Sequence, residues 1–257
     1  MRLAVMGGTG VYRLAGAPEG PGETVPTRWG VAEVRRAELA GQEVCFLARH
    51  GSGHAIPPHR INYRANVAAL KQLGCSAVIA TNAVGSLRVD LPPGALMTAD
   101  QFLDLTKARP ATFYDGDDAH GVKHVNVTEP YCANVRRWLR DGAAEAGESC
   151  VEGGTYLCAE GPRFETAAEV RLFGRWGADV VGMTGVPEVV LAREVGLCYA
   201  TLCLVTNLGA GLADEPPSHR EVGELMERRL PALERVLLAA IARAEDLPDC
   251  PCRKPIE

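Results

Sequence analysis

Short apolar runs that end in polar, glycine-containing loops recur along this chain, and they constrain its fold more than any other feature. The runs 2–6, 43–48 and 77–81 end in Gly7-Gly8-Thr9-Gly10, Arg49-His50-Gly51 and Asn82-Ala83-Val84-Gly85-Ser86. Amphipathic stretches with helical spacing lie between such runs, and this alternation is typical of an α/β protein. Ligands of open α/β sheets bind beyond the carboxyl ends of the strands, so these loops are predicted to form a site.

The remaining predicted elements continue the alternation. Helices are predicted at 62–73, 131–146, 165–176, 186–195 and 218–245, and further strands at 154–159, 179–183 and 199–206. Ser218 is predicted to cap the last helix, and Pro231 inside it to kink or split it. The stretch 104–128 has little periodicity and is too long for a plain connector, so it is predicted to be a functional or interface loop.

Composition limits the classes of partner. The 257 residues carry a formal net charge of −5, and no basic face that would suit a nucleic acid is visible. The apolar runs are too short to span a bilayer, and the first ten residues lack a signal-peptide pattern, which indicates a soluble cytoplasmic protein. We expect one domain over residues 1–246, followed by a tail with Pro and Cys over residues 247–257.

Nine cysteines are many for such a protein, and most lie in apolar runs, where cysteine acts as a small hydrophobe. The exception is Cys250-Pro-Cys252 in the polar tail. Neither a CxxC pair nor a Cys/His group with zinc-ligand spacing is present, so no metal site is predicted. The tail thiols are expected to be free on a flexible end, because cytoplasmic thiols are kept reduced. The alternative is a bridge from Cys250 or Cys252 to Cys198 or Cys203.

The polar loops carry groups that suit an oxyanion. Backbone N–H groups of Gly7–Gly10 and the Thr9 hydroxyl could form an anion nest, although an ordinary tight turn also fits this sequence. Arg49 could hold phosphate through its planar fork of donors, or form a surface salt bridge. Asn82, Ala83 and Thr184 add an amide, a backbone N–H and a hydroxyl. A structural role is favoured for His54 and His59. No Ser-His-carboxylate set or catalytic cysteine motif is present, so a protein nucleophile is not required.

Seven ordered motifs between about Val5 and Ala244 resemble the purine nucleoside phosphorylase and methylthioadenosine phosphorylase family, in the branch whose members are usually trimers. They are MGGTGVY at 6–12, LARHG at 47–51, PPHRINYRANVAAL at 57–70, ATNAVGSL at 80–87, EGPRFETAAE at 160–169, GADVVGMTGVPEVVLARE at 177–194 and VTNLGAGL at 205–212.

The resemblance implies a fold, a reaction and a set of site residues. The fold is a single domain with a twisted mixed, mostly parallel, partly barrel-like β-sheet flanked by helices. The reaction is reversible, phosphate-dependent cleavage of a purine nucleoside to purine and pentose 1-phosphate, without a cofactor or metal. Phosphate is expected at Thr9, Arg49, His50, Asn82, Ala83 and Thr184. The nucleoside is expected at Phe164, Glu165, Met183, Asn207, Gly209, His219 and Val222.

Within the family, the residues at the base site favour 6-oxopurines. The methylthioadenosine branch typically has serine and aspartate at the positions of Glu165 and Asn207, whereas the inosine and guanosine branch has glutamate and asparagine, as this chain does. An amide can donate to purine N7 without titrating and can also meet a 6-oxo group.

The 5′ end of the sugar is the second discriminator. Ser218-His219-Arg220-Glu221-Val222 fits the short sequence with which the inosine branch places a histidine at the 5′-hydroxyl, although His219 also fits a surface position in a first helical turn. The N-terminal motifs, by contrast, look like the methylthioadenosine branch.

Three alternatives therefore stay open: a methylthioadenosine or methylthioinosine phosphorylase, a nucleosidase that uses water, and a nucleoside-binding protein without activity. The resemblance also implies a homotrimer, with a hexamer as the alternative. A neighbouring subunit often completes the site in this family, and Phe113, Tyr114 and His124 are candidates for that contribution.

Overall fold

The computed structural model describes residues 1–8, 22–116 and 121–254. Its strands are β1 (Arg2–Gly7), β2 (Glu23–Thr27), β3 (Gly30–Leu39), β4 (Gln42–Ala48), β5 (Cys75–Ser86), β6 (Leu96–Thr98), β7 (Gln101–Leu105), β8 (Cys150–Glu152), β9 (Thr155–Ala159), β10 (Val180–Gly182) and β11 (Cys198–Leu208). Its helices are α1 (Tyr63–Gln72), α2 (Ala133–Glu145), α3 (Ala167–Arg175), α4 (Gly185–Glu194) and α5 (His219–Ala242).

The described strands form one mixed sheet. Along it β2, β3, β4, β1, β5, β10, β9 and β7 follow one another, while β11 branches from β5 and continues through β6 to β8. Parallel pairs join β1 to β4 and β5, β11 to β5, β9 to β7 and β10, and β6 to β8. The other four pairs are antiparallel. The predicted α/β fold with a mixed, mostly parallel sheet and flanking helices is confirmed.

Alternate residues of the central strand β1 enter two different cores. Leu3 and Val5 pack on one side with apolar residues of α2 and α5, and Ala4 and Met6 pack on the other with α1 and α4. Successive strand side chains point to opposite faces, so a strand covered by helices on both faces needs apolar residues at every position. This explains why the run 2–6 is continuously apolar.

Two sequence predictions about these elements are wrong. The segment 82–86 is not a loop, because β5 continues to Ser86 and pairs Asn82 with Cys203 and Gly85 with Val181. The last helix is not split at Pro231, since α5 runs unbroken from His219 to Ala242. Buried residues on both sides of the proline, Met226 and Leu233 among them, hold the helix in place.

The aperiodic stretch carries no helix or strand between residue 106 and residue 116 or between 121 and 130. It is nevertheless anchored in the core. Phe113 is buried against Trp29, with ring centroids 4.6 Å apart, and its N–H donates to the buried carboxylate of Glu194 over 2.7 Å. Phe113 is therefore a core residue of its own subunit rather than a side chain offered to a neighbour.

The tail also folds against the body, so the expectation of a flexible end is wrong for residues 247–254. A 3-10 turn spans Pro251–Arg253, and Cys250 and Cys252 are both buried in the core that contains α2 and α5. Within the described residues, no helix has the length and apolar character needed to cross a bilayer.

Candidate active site

A cavity of about 340 Å³ opens where β1, β4, β5, β10 and β11 end, and it has the size of a small-molecule site. Most of the residues predicted to bind phosphate or a nucleoside line it. They are Arg49, His50, Asn82, Ala83, Phe164, Glu165, Met183, Thr184, Asn207, His219 and Val222. Thr9 lies outside the described residues. Gly209 is not part of the wall; it donates its N–H to the Ser86 carbonyl and packs on Val170 instead.

Gly8 lines the cavity at a point where there is no room for a side chain. A Cβ atom on Gly8 would lie 2.5 Å from the carbonyl oxygen of Thr81 and 2.7 Å from Nη1 of Arg49. No other residue fits there without displacing one of them. The N–H of Gly8 donates to the hydroxyl of Thr81 over 3.0 Å, which fixes the turn after β1 against β5.

Arg49 follows β4 and is buried with a carboxylate partner. Its Nε lies 2.6 Å from Oε1 of Glu188 and its Nη2 lies 2.9 Å from Oε2, while Nη1 donates to the Thr81 carbonyl over 2.6 Å. Burial alone would lower the pKa of Arg49, but the charge of Glu188 reverses this and the net effect is a raised pKa. The planar fork predicted for phosphate is therefore occupied by Glu188, in a buried ion pair rather than a surface one.

Arg49 still contributes to the anion side. A guanidinium has five N–H groups, and the bonds to Glu188, Thr81 and the Met6 carbonyl use four of them. The fifth, on Nη1, has no acceptor within the described part of the chain. Tyr199 donates its hydroxyl to Oε2 of Glu188 over 2.8 Å, so the carboxylate is held from two sides. This network keeps the guanidinium in one orientation at the cavity wall.

Asn82 and Thr184 form a second buried polar pair. The Thr184 hydroxyl donates to Oδ1 of Asn82 over 2.7 Å, and Nδ2 of Asn82 donates to the hydroxyl of Thr201 over 2.6 Å. Asn82 therefore orients the hydroxyl of Thr184 at the start of α4. A hydroxyl hydrogen rotates, so Thr184 can turn it towards an anion in the cavity.

His50 lies on the wall as a neutral ring. Its Nδ1 lies 2.8 Å from the carbonyl oxygen of Ile56, and burial together with the charge of Arg49 lowers its pKa to about 3. A neutral ring whose Nδ1–H donates to a carbonyl presents a bare Nε2, which accepts a hydrogen bond. The ring stacks on His54, with centroids 4.2 Å apart.

His54 lies on the cavity wall, although a structural role was favoured from the sequence. It lies between His50 and His219, with 6.3 Å from its centroid to that of His219. Burial, and to a lesser extent the charge of His219, lower the pKa of His54. His59, by contrast, is exposed and does not line the cavity.

Asn207 lines the cavity from an irregular part of β11, where it pairs with Gly85, three residues and about 10 Å along β5 from Asn82. The pairing of β11 with β5 shifts register between Val205 and Asn207, which is the signature of a β-bulge. The hydroxyl of Thr206 lies 3.0 Å from Oδ1 of Asn207, and Nδ2 donates to the Leu208 carbonyl over 2.9 Å. These contacts fix the amide and leave one of its two N–H groups for a ligand.

Glu165 supplies a carboxylate to the same cavity. It lies just before α3, whose N-cap Thr166 makes a reciprocal capping box with Glu169. Glu169 in turn binds Arg163, so Glu165 is not the partner of that arginine. Burial raises the pKa of Glu165. A fixed amide and a carboxylate that forms no ion pair with the described residues thus line one cavity.

The remaining wall residues are apolar or lie at the mouth. Phe164, Met183 and Val222 line the cavity, and Phe164 is still 39% exposed. His219 is the first residue of α5, after Ser218, whose side chain makes a capping box with Glu221. His219 is therefore a first-turn histidine that also lines the cavity, and its contact with a 5′-hydroxyl stays a prediction.

The buried guanidinium of Arg109 connects separate loops near Met183 through hydrogen bonds. It donates to the carbonyl oxygens of Met183, Val186 and Glu160 over 2.7, 2.9 and 2.6 Å, and to the Tyr63 hydroxyl over 3.0 Å. The Tyr63 hydroxyl donates to the carbonyl of Pro58, which lines the cavity. Arg109 and Glu188 are not predicted from the sequence, although a lone carboxylate within the apolar run 185–192 is a signal for Glu188.

The cavity thus has two chemically distinct ends. One end carries a buried cation, a threonine hydroxyl and a neutral histidine, which suit an anion with a hydroxyl of its own. The other end carries an amide donor and a carboxylate acceptor beside an aromatic ring, which suit a flat heterocycle with N–H and C=O groups.

Comparisons with known proteins identify the family of this chain. The model of the phosphorylase superfamily matches residues 2–242. The chain is 47% identical to a probable 6-oxopurine nucleoside phosphorylase of Thermococcus kodakarensis, over 98% of this chain and 96% of that protein. It is 44% identical to a probable S-methyl-5′-thioinosine phosphorylase of Methanothermobacter thermautotrophicus, over 98% of this chain and 87% of that protein.

A solved structure shares the fold. Methylthioadenosine phosphorylase from Schistosoma mansoni, in complex with adenine, superposes with a TM-score of 0.88 at 35% identity, over 95% of this chain and 92% of that one. With the family model matched almost from end to end and relatives aligned over most of their own length, the chain belongs to the phosphorylase superfamily.

Proposed function

We propose that this protein is a purine nucleoside phosphorylase that cleaves 6-oxopurine nucleosides, inosine and guanosine, with inorganic phosphate in purine salvage. The observation that carries the proposal is the pairing of Asn207 and Glu165 in one cavity, opposite the end that suits an anion. The relative from T. kodakarensis is named for 6-oxopurine nucleosides. The reaction needs no cofactor, and phosphate is a co-substrate.

The proposed chemistry breaks the bond from C1′ of the sugar to N9 of the purine. Its electron pair leaves with the base, so the sugar becomes cationic and the purine becomes anionic. The remaining N–H of Asn207 donates to purine N7 as charge builds there, and the Glu165 carboxylate accepts the N1–H. Donors that are already in place stabilise the developing charge without reorganising at the moment of reaction.

Phosphate occupies the other end and forms the new bond to C1′. Its negative charge first stabilises the cationic sugar, and one of its oxygens then attacks C1′. Arg49 and Thr184 hold it, and the bare Nε2 of His50 accepts the hydroxyl hydrogen of the HPO₄²⁻ dianion. His50 thereby orients the nucleophile without carrying a charge itself.

A second candidate is methylthioinosine phosphorolysis. The M. thermautotrophicus relative is named for that nucleoside, and methylthioinosine presents the same 6-oxopurine edge to Asn207 and Glu165. His219 at the cavity mouth favours a 5′-hydroxyl, because a thioether gains little from a hydrogen-bonding ring. Nucleoside hydrolysis is less favoured, because a neutral water molecule does not need a cation such as Arg49 to bind it.

A substrate panel with and without phosphate tests the proposal. Inosine and guanosine should be cleaved only when phosphate is present, and adenosine and methylthioadenosine should be poor substrates. Comparing inosine with methylthioinosine separates the two candidates. Cleavage at an equal rate without phosphate would instead assign a nucleosidase, and no cleavage of any nucleoside would assign a binding protein.

We further propose that the protein assembles as a homotrimer. Three large apolar side chains of the segment 164–176 are exposed in the single chain: Phe164 at 39%, Leu172 at 42% and Trp176 at 54%. A subunit contact at this edge of the cavity would cover them. Light scattering coupled to size exclusion should give a mass of three chains, whereas a mass of six would assign the hexamer.

A further inference from the structure

Four cysteines that are far apart in the sequence meet in the core on the side of the sheet covered by α2 and α5. The Sγ atoms of Cys132, Cys198, Cys250 and Cys252 all lie within 4.8 Å of one another, and all four side chains are buried. The Sγ atoms of Cys132 and Cys250 are 3.7 Å apart. The cluster includes neither a histidine nor a carboxylate.

Ordered backbone from three segments brings these sulfurs together. Cys132 is the N-cap of α2, and Cys198 is the first residue of β11. The N–H of Cys132 donates to the Tyr199 carbonyl over 2.8 Å, which fixes the start of α2 against the start of β11. Cys250 and Cys252 flank Pro251, and the Arg253 N–H donates to the Cys250 carbonyl over 2.9 Å. The ligand atoms are thus positioned by main-chain contacts.

We propose that this cluster is a structural Zn²⁺ site with four thiolate ligands. A tetrahedral zinc ion with Zn–S bonds of about 2.3 Å places its sulfurs about 3.8 Å apart, close to the 3.7 Å between Cys132 and Cys250 and within the 4.8 Å that bounds every pair. Four protein ligands close the coordination sphere, which is the pattern of structural rather than catalytic zinc. Spacing rules could not find it, because they require ligands close together in the sequence.

The surroundings suit the charge that such a site carries. Each thiol loses its proton when zinc binds, so four thiolates and one Zn²⁺ leave a double negative charge. Cys132 stands at the N-terminus of α2, where the helix dipole favours negative charge. Nδ2 of Asn134 donates to Sγ of Cys250 over 3.8 Å. A helix end and an amide thus compensate part of the charge of the anionic site.

The position of the site predicts a role in stability. Zinc would tie the tail, the start of α2 and the start of β11 into one unit. Asn207 lies nine residues after Cys198 on the same strand, about 30 Å away at the usual rise of a strand. The ion would therefore hold the fold together without reaching the cavity.

Metal analysis of the full chain tests this inference. The protein is produced without a histidine tag in medium supplemented with zinc, and its metal content is measured by inductively coupled plasma mass spectrometry. We expect about one zinc per chain for the natural sequence and for Cys150→Ser, a cysteine outside the cluster, and only background zinc for Cys252→Ser. A strong chelator should lower the melting temperature of the natural protein and leave that of Cys252→Ser unchanged.

A spectroscopic measurement does not depend on the folding of a variant. Co²⁺ exchanged into the natural protein should give the intense visible bands of a tetrahedral tetrathiolate site and the near-ultraviolet bands of thiolate-to-cobalt charge transfer. Thiol titration in denaturant with chelator should find all nine cysteines reduced. Absence of zinc together with nine free thiols would overturn the inference, and so would absence of zinc with disulfides among the four cysteines.

Discussion

The carboxylate of Glu188 accepts two hydrogen bonds from the guanidinium of Arg49, Nε to Oε1 over 2.6 Å and Nη2 to Oε2 over 2.9 Å. Both side chains are fully buried, and both come from elements that surround the cavity. The cation at the anion end is therefore held in place by the protein before any ligand arrives. Its orientation depends on a residue that has no contact with the cavity itself.

Replacing Glu188 with glutamine should destabilise the protein strongly. The change leaves the buried charge of Arg49 without its counter-charge, and such a loss costs about 3–5 kcal/mol of unfolding free energy. Urea denaturation measures it, with Glu224→Gln as the control, because that carboxylate pairs with Arg220 on the surface. An exposed pair contributes only about 0–1 kcal/mol. A loss for Glu188→Gln no larger than that of the control contradicts the assigned role.

The neutral state of His50 predicts how stability depends on pH. The folded ring has a pKa of about 3, against an ordinary 6.5, so below pH 6.5 the unfolded chain binds a proton that the folded chain does not. Stability should therefore fall as the pH falls from about 6.5 towards about 3. Melting temperatures across this range should decline less steeply for His50→Phe than for the natural protein. The exposed control His59→Phe should keep the natural slope; equal slopes in all three would refute the assignment.

Asn207 is predicted to be the main determinant of base specificity. Asn207→Ala should lower kcat for inosine by about 10²–10³, the usual loss when one preorganised donor is removed. Asn207→Asp should shift the preference towards 6-aminopurine nucleosides. Unlike the amide, an aspartate side chain can donate to N7 only in its protonated form. Steady-state kinetics with inosine and adenosine check both, with the surface change Asn126→Ala as control. If Asn207→Asp still prefers inosine, Asn207 does not determine the base specificity.

Glu165 should set the acid side of the pH profile. Burial raises its pKa, and protonation removes the charge that holds the N1–H of the base. The kcat/KM for inosine should therefore fall as the pH drops through a value above that of an ordinary glutamate. Glu165→Gln should lower kcat/KM and abolish this limb, while Glu224→Gln should retain it. An acid limb that survives in Glu165→Gln would have to come from another group.

His219 should discriminate between nucleosides at their 5′ ends. His219→Leu removes the ring that the proposal assigns to the 5′-hydroxyl, so kcat/KM for inosine should fall about tenfold, the worth of one hydrogen bond. The value for methylthioinosine should stay the same or rise, because leucine suits a thioether. His59→Leu, an exposed histidine outside the cavity, is the control. Equal losses for both substrates would assign His219 a structural role.

Much of this architecture can be predicted from the sequence, because burial imposes a regular pattern of apolar residues on strands and helices. Continuous apolar runs identified β1, β4, β5 and β11, and the polar residues that follow them identified the site. The strands β6 and β8 were missed because three residues are too few to show alternation, whereas β10, equally short, was found because it begins with two adjacent valines. The strand β2 was missed because Pro26 interrupts its five residues. In β3, Ala32 and Val34 do alternate with exposed residues, so that strand carried a readable signal.

Contacts between distant segments were the part that no local pattern could supply. Glu188 meets Arg49 across 139 positions, and Cys250 meets Cys132 across 118. Arg109 lies in a stretch without periodicity, yet it binds the carbonyl groups of Met183 and Glu160, which lie in two different segments. In each case the sequence shows the residue type, but its contact partner is determined only when the sheet folds.

A crystal structure with hypoxanthine and sulfate bound tests the central claim most directly. The claim is that Glu165 and Asn207 hold the base while an anion lies at the opposite end of the same cavity. We predict hydrogen bonds from hypoxanthine N1 to the Glu165 carboxylate and from the Asn207 amide to N7, with sulfate against Arg49 and Thr184. A bound base with both side chains turned away from it would contradict the account.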